Sequence, residues 1–236
     1  MNSTISVIIP VYNGAKFLRP ALESVFAQSL LPTEVLVVDD GSTDGSPEIA
    51  RSFSGVTWIG QENRGPAAAR NLGVTRSQGP FIAFIDQDDF WLPEKLELQL
   101  EFLLKHKQQL YCLCLQRHVL EIGSLRPEWL PERAFSEDLE ALTPSALFAR
   151  REAFEVVGLF DEKLSTASDA DWFFRAEDKG FSRALVNTRL IEKRVHNECQ
   201  SFDPLCREEL LASVRRSIGR KRSLSNAKGG SSNVDV

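Results

Sequence analysis

The first hundred residues alternate apolar runs of strand length with segments whose apolar residues recur every three or four positions. That alternation restricts the chain to βα units around a mainly parallel sheet. Residues 6–11 read as the first strand, and Phe17, Leu18, Ala21, Leu22, Val25 and Phe26 then share one helix face. Residues 34–38 and 56–59 read as the next strands. Between them lies a short helix carrying Pro47 near its first turn, with Asp44 or Ser46 as its cap. A helix over 67–75 precedes a fourth strand at 81–85, and a strong helix follows from 93 to about 105, with Leu96, Leu100, Leu103 and Leu104 on one side. One large domain fits 236 residues of which 42% are hydrophobic.

After strand candidates at 111–115 and 117–122 the rhythm stops. Residues 123–142, with Pro127, Pro131 and the adjoining Pro144 and charges between them, read as a long functional loop or a mobile lid. Residues 151–157 and 169–179 read as helices, and 182–196 as strand. Residues 204–222 read as an amphipathic helix with an apolar stripe at Leu210, Leu211, Val214 and Ile218 and a basic end at Arg215, Arg216, Arg220, Lys221 and Arg222. The last fourteen residues, 223–236, read as a disordered tail.

Several function classes drop out. A formal charge of −5, from 33 acidic against 28 basic residues, argues against a surface built for nucleic acid. No apolar run approaches the ~18 residues of a spanning helix, and the polar start lacks a charged n-region, so a soluble, intracellular chain is expected. Cys112, Cys114, Cys199 and Cys206 form no CxxC pair and no zinc spacing with His106, His118 and His196; they are expected to be reduced and to serve as small apolar residues. One glycine, Gly14, follows the first strand where a dinucleotide turn needs three, which argues against a Rossmann dehydrogenase.

Ligands of parallel sheets sit outside the carboxyl ends of the strands, and the polar motifs fall there: Val11-Tyr12-Asn13, Asp39-Asp40 and Asp86-Gln87-Asp88-Asp89. On an extended strand Asp86 and Asp88 would point to one side, roughly 6.5 to 7 Å apart. Carboxylates that close call for a cation between them or for a shared proton. A hard divalent ion carrying a phosphorylated ligand meets that demand; a solvated acidic turn is the alternative.

The stretches SVIIPVYN (6–13), VVDDGSTD (37–44), NRGPAAARNLG (63–73) and FIDQDDFW (84–91) resemble, in order and spacing, the family 2 glycosyltransferases of the GT-A fold. GLFDEKL (158–164) and SDADWFFR (168–175) resemble that family's acceptor-side segments. The resemblance implies one Rossmann-like α/β domain over 1–222, with a nucleotide-sugar half of about 1–115, an acceptor half of about 116–203 and the helix at 204–222. It implies an inverting hexosyltransferase in the cytoplasm that uses Mn²⁺ or Mg²⁺. The sugar would pass from a nucleotide-diphosphate donor to a hydroxyl of a saccharide, lipid-linked or peptide acceptor.

Residue by residue, the resemblance assigns Pro10, Val11, Tyr12 and Asn13 to the nucleotide site and makes Asp40 the acceptor of a hydrogen bond from the base. Asp88 becomes the direct metal ligand, and Asp86 a contact to ribose or metal. Arg64 and Arg70 would stabilise the diphosphate or orient acidic loops, with a helix-face ion pair as the alternative for each. Asp169 matches the catalytic base, with Asp171 as a rival and Ser168 standing where the family is usually acidic. A helix-cap role for Asp169 and Ser168 is the structural alternative. His196 follows Lys193-Arg194-Val195 and matches a segment that reaches the diphosphate or metal, while Cys199 stands where the family often has Asn. Trp91 and Trp172 are candidates for the acceptor cleft, or for the core. The basic end of the last helix is either a peripheral contact with an anionic inner membrane face or a solvated face. A catalytically silent nucleotide-sugar binding module, or a partner subunit of a larger transferase, is the competing function.

Overall fold

The computed structural model describes residues 4–199 and 204–229. Strands β1 (Ile5–Val11), β2 (Glu34–Asp39), β3 (Val56–Gly60) and β4 (Phe81–Phe84) run parallel in the spatial order β3-β2-β1-β4. Every residue of β1 is buried, because helices cover both faces of a parallel sheet and remove the need for alternation. The connecting helices are α1 (Leu18–Phe26), α2 (Ser46–Arg51) and α3 (Pro66–Arg76), and α4 (Lys95–Lys105) follows the fourth strand. At Gly73 of α3 a Cβ would come within 2.3 Å of the Ile8 side chain, so the helix seats closer on β1 than any larger residue allows.

The sheet then continues through β5 (Phe90–Trp91), β6 (Tyr111–Leu120), β7 (Leu139–Glu140), β8 (Phe148–Arg150) and β9 (Ala184–Val195). Beyond β4 the order is β8-β6-β9-β5, with β7 paired to β6. β8 is antiparallel to both β4 and β6, whereas β6 and β9 are parallel. Helices α5 (Arg151–Val157), α6 (Ser168–Asp178) and α7 (Pro204–Gly229) complete the chain. The expected α/β architecture is present, with helices flanking one continuous mixed sheet.

Four expectations change. The two strands expected at 111–115 and 117–122 are one strand, and the apparent break coincides with register shifts between Cys114 and Gln116. Since β4 ends at Phe84, Asp86 to Asp88 lie on a turn closed by the Asp89 N–H donating to the Asp86 carbonyl (3.1 Å), and strand spacing does not govern their separation. The last helix runs to Gly229 rather than 222, as no glycine or proline interrupts residues 220–228; residues 230–236 of the expected tail lie outside the described residues. Lastly, α7 docks on α6 through its polar side. Ser213 and Ser217 are buried, Arg220 Nε donates to Asp178 Oδ2 (2.6 Å), and Arg216 faces Asp171 (3.6 Å). Three residues of the basic end, for which a membrane contact or a solvated face was expected, Arg216, Arg220 and Lys221, are therefore paired with carboxylates, while Leu210, Leu211 and Ile218 face outward. Among the described residues no helix is long and apolar enough to cross a membrane.

Candidate active site

A cleft of about 430 Å³ opens at the carboxyl ends of the parallel strands. Pro10, Val11 and half-exposed Tyr12, at the end of β1, line one wall. Asn13 does not join them. It adopts a left-handed backbone (φ 47°), and its Oδ1 accepts from the Thr43 N–H (2.8 Å) while its own N–H donates to Ser42 Oγ (2.9 Å), so it ties two loops together.

Asp40 lies buried in the cleft wall, where Oδ1 accepts from Gln61 Nε2 (2.6 Å) and the Arg64 N–H (2.9 Å) and Oδ2 from the Gly65 N–H (2.7 Å). Gly65 is left-handed (φ 88°), which aims its N–H and that of Arg64 at one carboxylate just before α3 begins. The Arg64 side chain leaves the cleft. It pairs on the surface with Glu162 (2.7 Å), the ion-pair alternative considered for it.

Asp86, Gln87 and Asp88 of the turn also line the cleft, with Asp89 buried behind them. Gln87, between the acids, spans to Tyr12: its Oε1 accepts from the Tyr12 N–H (2.9 Å), its Nε2 donates to the Tyr12 carbonyl (3.2 Å), and Gly14 leaves room for it. Asp86 accepts from Arg70 (2.7 Å) and faces Lys193 Nζ (3.4 Å). Burial works to raise its pKa, but these two cations outweigh it and hold the carboxyl at about 2. Asp89 is buried, accepting from Ser145 Oγ (2.6 Å) and Lys193 Nζ (2.9 Å). Burial, with the charges of Asp88 and Asp86, pushes it up to about 7 despite the lysine. The carboxylate repulsion expected from the sequence is thus relieved by Lys193 and Arg70 and by the high proton affinity of Asp89.

Asp88 turns the other way, with Oδ2 lying 3.0 Å from His196 Nε2. The Glu198 N–H reaches His196 Nδ1 (3.3 Å), the Phe17 ring packs on the imidazole at 4.4 Å, and Arg194 Nε donates to the Asp88 carbonyl (3.2 Å). Cys199 Sγ completes a group in which the three ligand atoms lie within 4.8 Å of one another. Burial first, then the charge of Asp88, pushes its thiol up to about 11, against the His196 N–H that bonds the sulfur. Carboxylate oxygen, imidazole nitrogen and thiol on one cleft wall form a donor set that fits a divalent ion. The 3.0 Å between oxygen and nitrogen suits neighbouring ligands with bonds of about 2.1 Å.

Asp169, at the start of α6, also lines the cleft, half-buried. Burial raises its pKa above the ordinary 3.8, against the field of Arg70. Among the described residues no side chain caps α6, and Asp169 Oδ1 accepts from the adjacent Ala170 N–H (2.8 Å). The preceding loop is held from α7, where Glu209 accepts from the N–H groups of Ser165, Thr166 and Ala167 and from the hydroxyls of Ser165 and Thr166. The rival, Asp171, is buried in ion pairs with Arg175 and Arg216. Trp172 is a correction: it is fully buried among Tyr111, Phe154, Phe160 and Phe173, donating to the Gly158 carbonyl, because its face of α6 packs on the sheet. Trp91 is buried as well.

Sequence reasoning missed Ser145 and Trp129, and it quoted Lys193 and Gln87 within their motifs without giving either a contact of its own. Trp129 stands in the cleft wall with 59% of its surface exposed, on the segment over 123–142, and its sequence signal was a tryptophan where no helical or strand period claims it. That segment forms a wall beside the acidic turn, anchored by Leu130 and Ala134 against Val195. Three buried polar atoms of the lining, Arg70 Nε, His118 Nδ1 and Thr143 Oγ1, have no hydrogen-bond partner among the described residues, which suits a cleft that takes a polar ligand.

A family model described as Glycosyl transferase family 2 matches residues 6–163, stopping short of Asp169 and His196. An uncharacterized glycosyltransferase of Rickettsia prowazekii is 31% identical over 216 residues, 81% of this chain and 64% of that protein. The putative teichuronic acid biosynthesis glycosyltransferase TuaG of Bacillus subtilis is 40% identical over 107 residues, 43% of this chain and 42% of that protein. Among solved structures, S. aureus TarS 1–349 in complex with UDP-GlcNAc has a TM-score of 0.72 at 22% identity, covering 92% of this chain and 66% of that chain, and carries the GT-A fold assignment. The chain spans less than two thirds of the length of these curated relatives.

Proposed function

This chain belongs to glycosyl transferase family 2, and from that premise we propose that it moves a sugar from a nucleotide-diphosphate donor to an acceptor hydroxyl with inversion. The observation that carries this is the convergence, in one cleft, of Tyr12, Asp40, the Asp86–Asp88 turn and Asp169, from four separate parts of the chain. The structural neighbour bound to UDP-GlcNAc makes a uridine nucleotide the first donor to try.

The nucleoside sits against Pro10, Val11 and Tyr12, and Asp40, whose Oδ2 carries one protein donor, accepts from the base. Asp86, fixed by Arg70, meets the ribose side. Asp88 and His196 hold Mn²⁺ or Mg²⁺, which when bound offsets negative charge on the departing diphosphate. Asp169 takes the proton of the acceptor hydroxyl as its oxygen attacks the anomeric carbon from the side opposite the diphosphate. The bond to the diphosphate oxygen breaks, and the electron pair leaves with the nucleotide. Burial suits Asp169 to this task, since a carboxylate of raised pKa is the stronger base. Ser168 is buried at the start of α6 and leaves the Asp169 carboxylate in the cleft, which weighs against a silent binding module.

Trp129 offers the acceptor sugar an exposed aromatic face, the role first considered for Trp172. The acceptor is a saccharide, lipid-linked or peptide acceptor, and the teichuronic acid biosynthesis in the name of the B. subtilis relative favours a saccharide. Membrane contact, if the acceptor is lipid-linked, falls to the outward leucines of α7 rather than to its paired basic residues.

The test is a thermal-shift panel of UDP-, GDP- and dTDP-sugars with Mn²⁺, followed by transfer or donor hydrolysis by wild type and Asp169→Asn. A variant that binds donor normally but loses about 10² to 10⁴ in kcat supports the assignment. Equal turnover by wild type and variant refutes it.

A further inference from the structure

We propose that Cys199 is a third protein ligand in the cation site of Asp88 and His196, and that its sulfur shifts the site's preference from Mn²⁺ and Mg²⁺ towards Zn²⁺ and Co²⁺. The inference rests on the metal site of the proposed function and adds to it a ligand and a selectivity.

Among the described residues, Asp88, His196 and Cys199 form the one group of three or more His, Cys, Asp or Glu side chains whose ligand atoms converge within 4.8 Å. The turn after β9 builds it: the Cys199 N–H donates to the His196 carbonyl (3.1 Å) and the His196 N–H to Cys199 Sγ (3.3 Å), which sets imidazole and sulfur side by side. The Sγ also lies 3.7 Å from the Arg194 carbonyl, the direction its proton takes while no ion is bound. All three residues line the cleft, so an ion they hold would meet a diphosphate there. Of the four cysteines expected to act as small apolar residues, Cys112 and Cys114 do so in the core, whereas Cys199 is only partly buried and does not share their surroundings.

Ligand chemistry supplies the selectivity. Mg²⁺ and Mn²⁺ favour all-oxygen surroundings, whereas a thiolate beside an imidazole and a carboxylate favours Zn²⁺ and Co²⁺. On binding, the Cys199 S–H gives its proton to solvent, a sulfur–metal bond forms and a water leaves the ion, with no change of oxidation state.

The experiment titrates the metal-free full chain with Co²⁺ and follows visible d–d bands together with the sulfur-to-cobalt charge-transfer band in the near ultraviolet. Wild type is expected to show both. Cys199→Ser is expected to keep the visible bands and lose the charge-transfer band, and to lower the ratio of Zn²⁺ to Mn²⁺ affinity by at least about tenfold. Cys206→Ser, altering the other thiol of the cleft, should change neither, and circular dichroism checks that each variant is folded. Cobalt bound by wild type without the charge-transfer band, or a band removed by Cys206→Ser instead, overturns the role of Cys199 and leaves the metal site standing. Wild type that takes up neither Co²⁺ nor Mn²⁺ overturns both.

Discussion

Lys95 presents a sharp energetic question, because this lysine of α4 has no exposed surface. Its Nζ donates to Gln99 Oε1 (2.8 Å) and lies 4.0 Å from the centre of the Trp91 ring, and among the described residues no carboxylate pairs with it. Burial pulls the ammonium from its ordinary 10.5 down to about 8. At about 1.36 kcal/mol per tenfold change in acidity, carrying the charge into the core costs roughly 3 kcal/mol at neutral pH. Below pH 8 both states hold the proton and the full cost is present. Between 8 and 10.5 the unfolded chain keeps a proton that the folded protein has lost, so this group's contribution to stability rises with pH.

Lys95→Met keeps the length of the side chain and removes the titration. Its absolute effect at pH 7 mixes relief of the charge with loss of the Gln99 bond, worth about 1 to 3 kcal/mol when an acceptor is left unpaired, and of the ring contact. The pH dependence separates them. Tyr111, Cys112 and Cys114, whose acid pKa values are raised by burial, make both proteins less stable at high pH and largely cancel in the difference. Urea unfolding of wild type and variant from pH 7 to pH 10 should therefore show wild type gaining on the variant by roughly 2 to 3 kcal/mol. A gap constant to within about 0.5 kcal/mol would mean that the ammonium reaches water and would refute the buried placement.

Asp88→Asn should weaken Mn²⁺ binding by about tenfold or more while leaving the melting temperature of the metal-free protein nearly unchanged; calorimetric titration with Mn²⁺ checks the first and a thermal melt of both metal-free proteins the second. Glu209→Gln, which takes the charge from a carboxylate serving five donors, should cost about 1 to 3 kcal/mol at pH 7. Those donors hold Glu209 at about 2 against a usual 4.5, so its contribution is complete above 4.5 and fades as pH falls towards 2; denaturation at pH 3 and 7 would expose the wrong sign. Trp172→Ala should destabilise by about 3 to 5 kcal/mol. Trp129→Ala should leave the urea midpoint almost unmoved and raise the acceptor KM, and a destabilised Trp129→Ala would place that ring in the core.

Legibility in the sequence followed the range of the interactions. The four parallel strands and the helices between them could be read locally, since a buried strand needs an unbroken apolar run and a covering helix needs a period near 3.6. α5 was located to its residue bounds, Arg151–Val157. β5 and β8 were invisible, because two or three residues carry no period and only their partners in the sheet define them. The face of α7 was misleading for a related reason. Its apolar stripe looks like a docking surface in isolation, but Asp171, Asp178 and the donors of the 165–167 loop select the polar side.

By itself the chain's order of residues determined which motifs exist and that they follow strand ends, because strand, turn and helix preferences act over a few neighbours. Tertiary structure decided what those motifs touch. Asp88 meets His196 across 108 positions, Lys193 enters the acidic turn from the last strand, Trp172 goes to the core and Trp129 to the cleft. Each of these pairings depends on which elements the sheet brings side by side, and solvation and Coulomb forces act across space with no regard to separation along the chain.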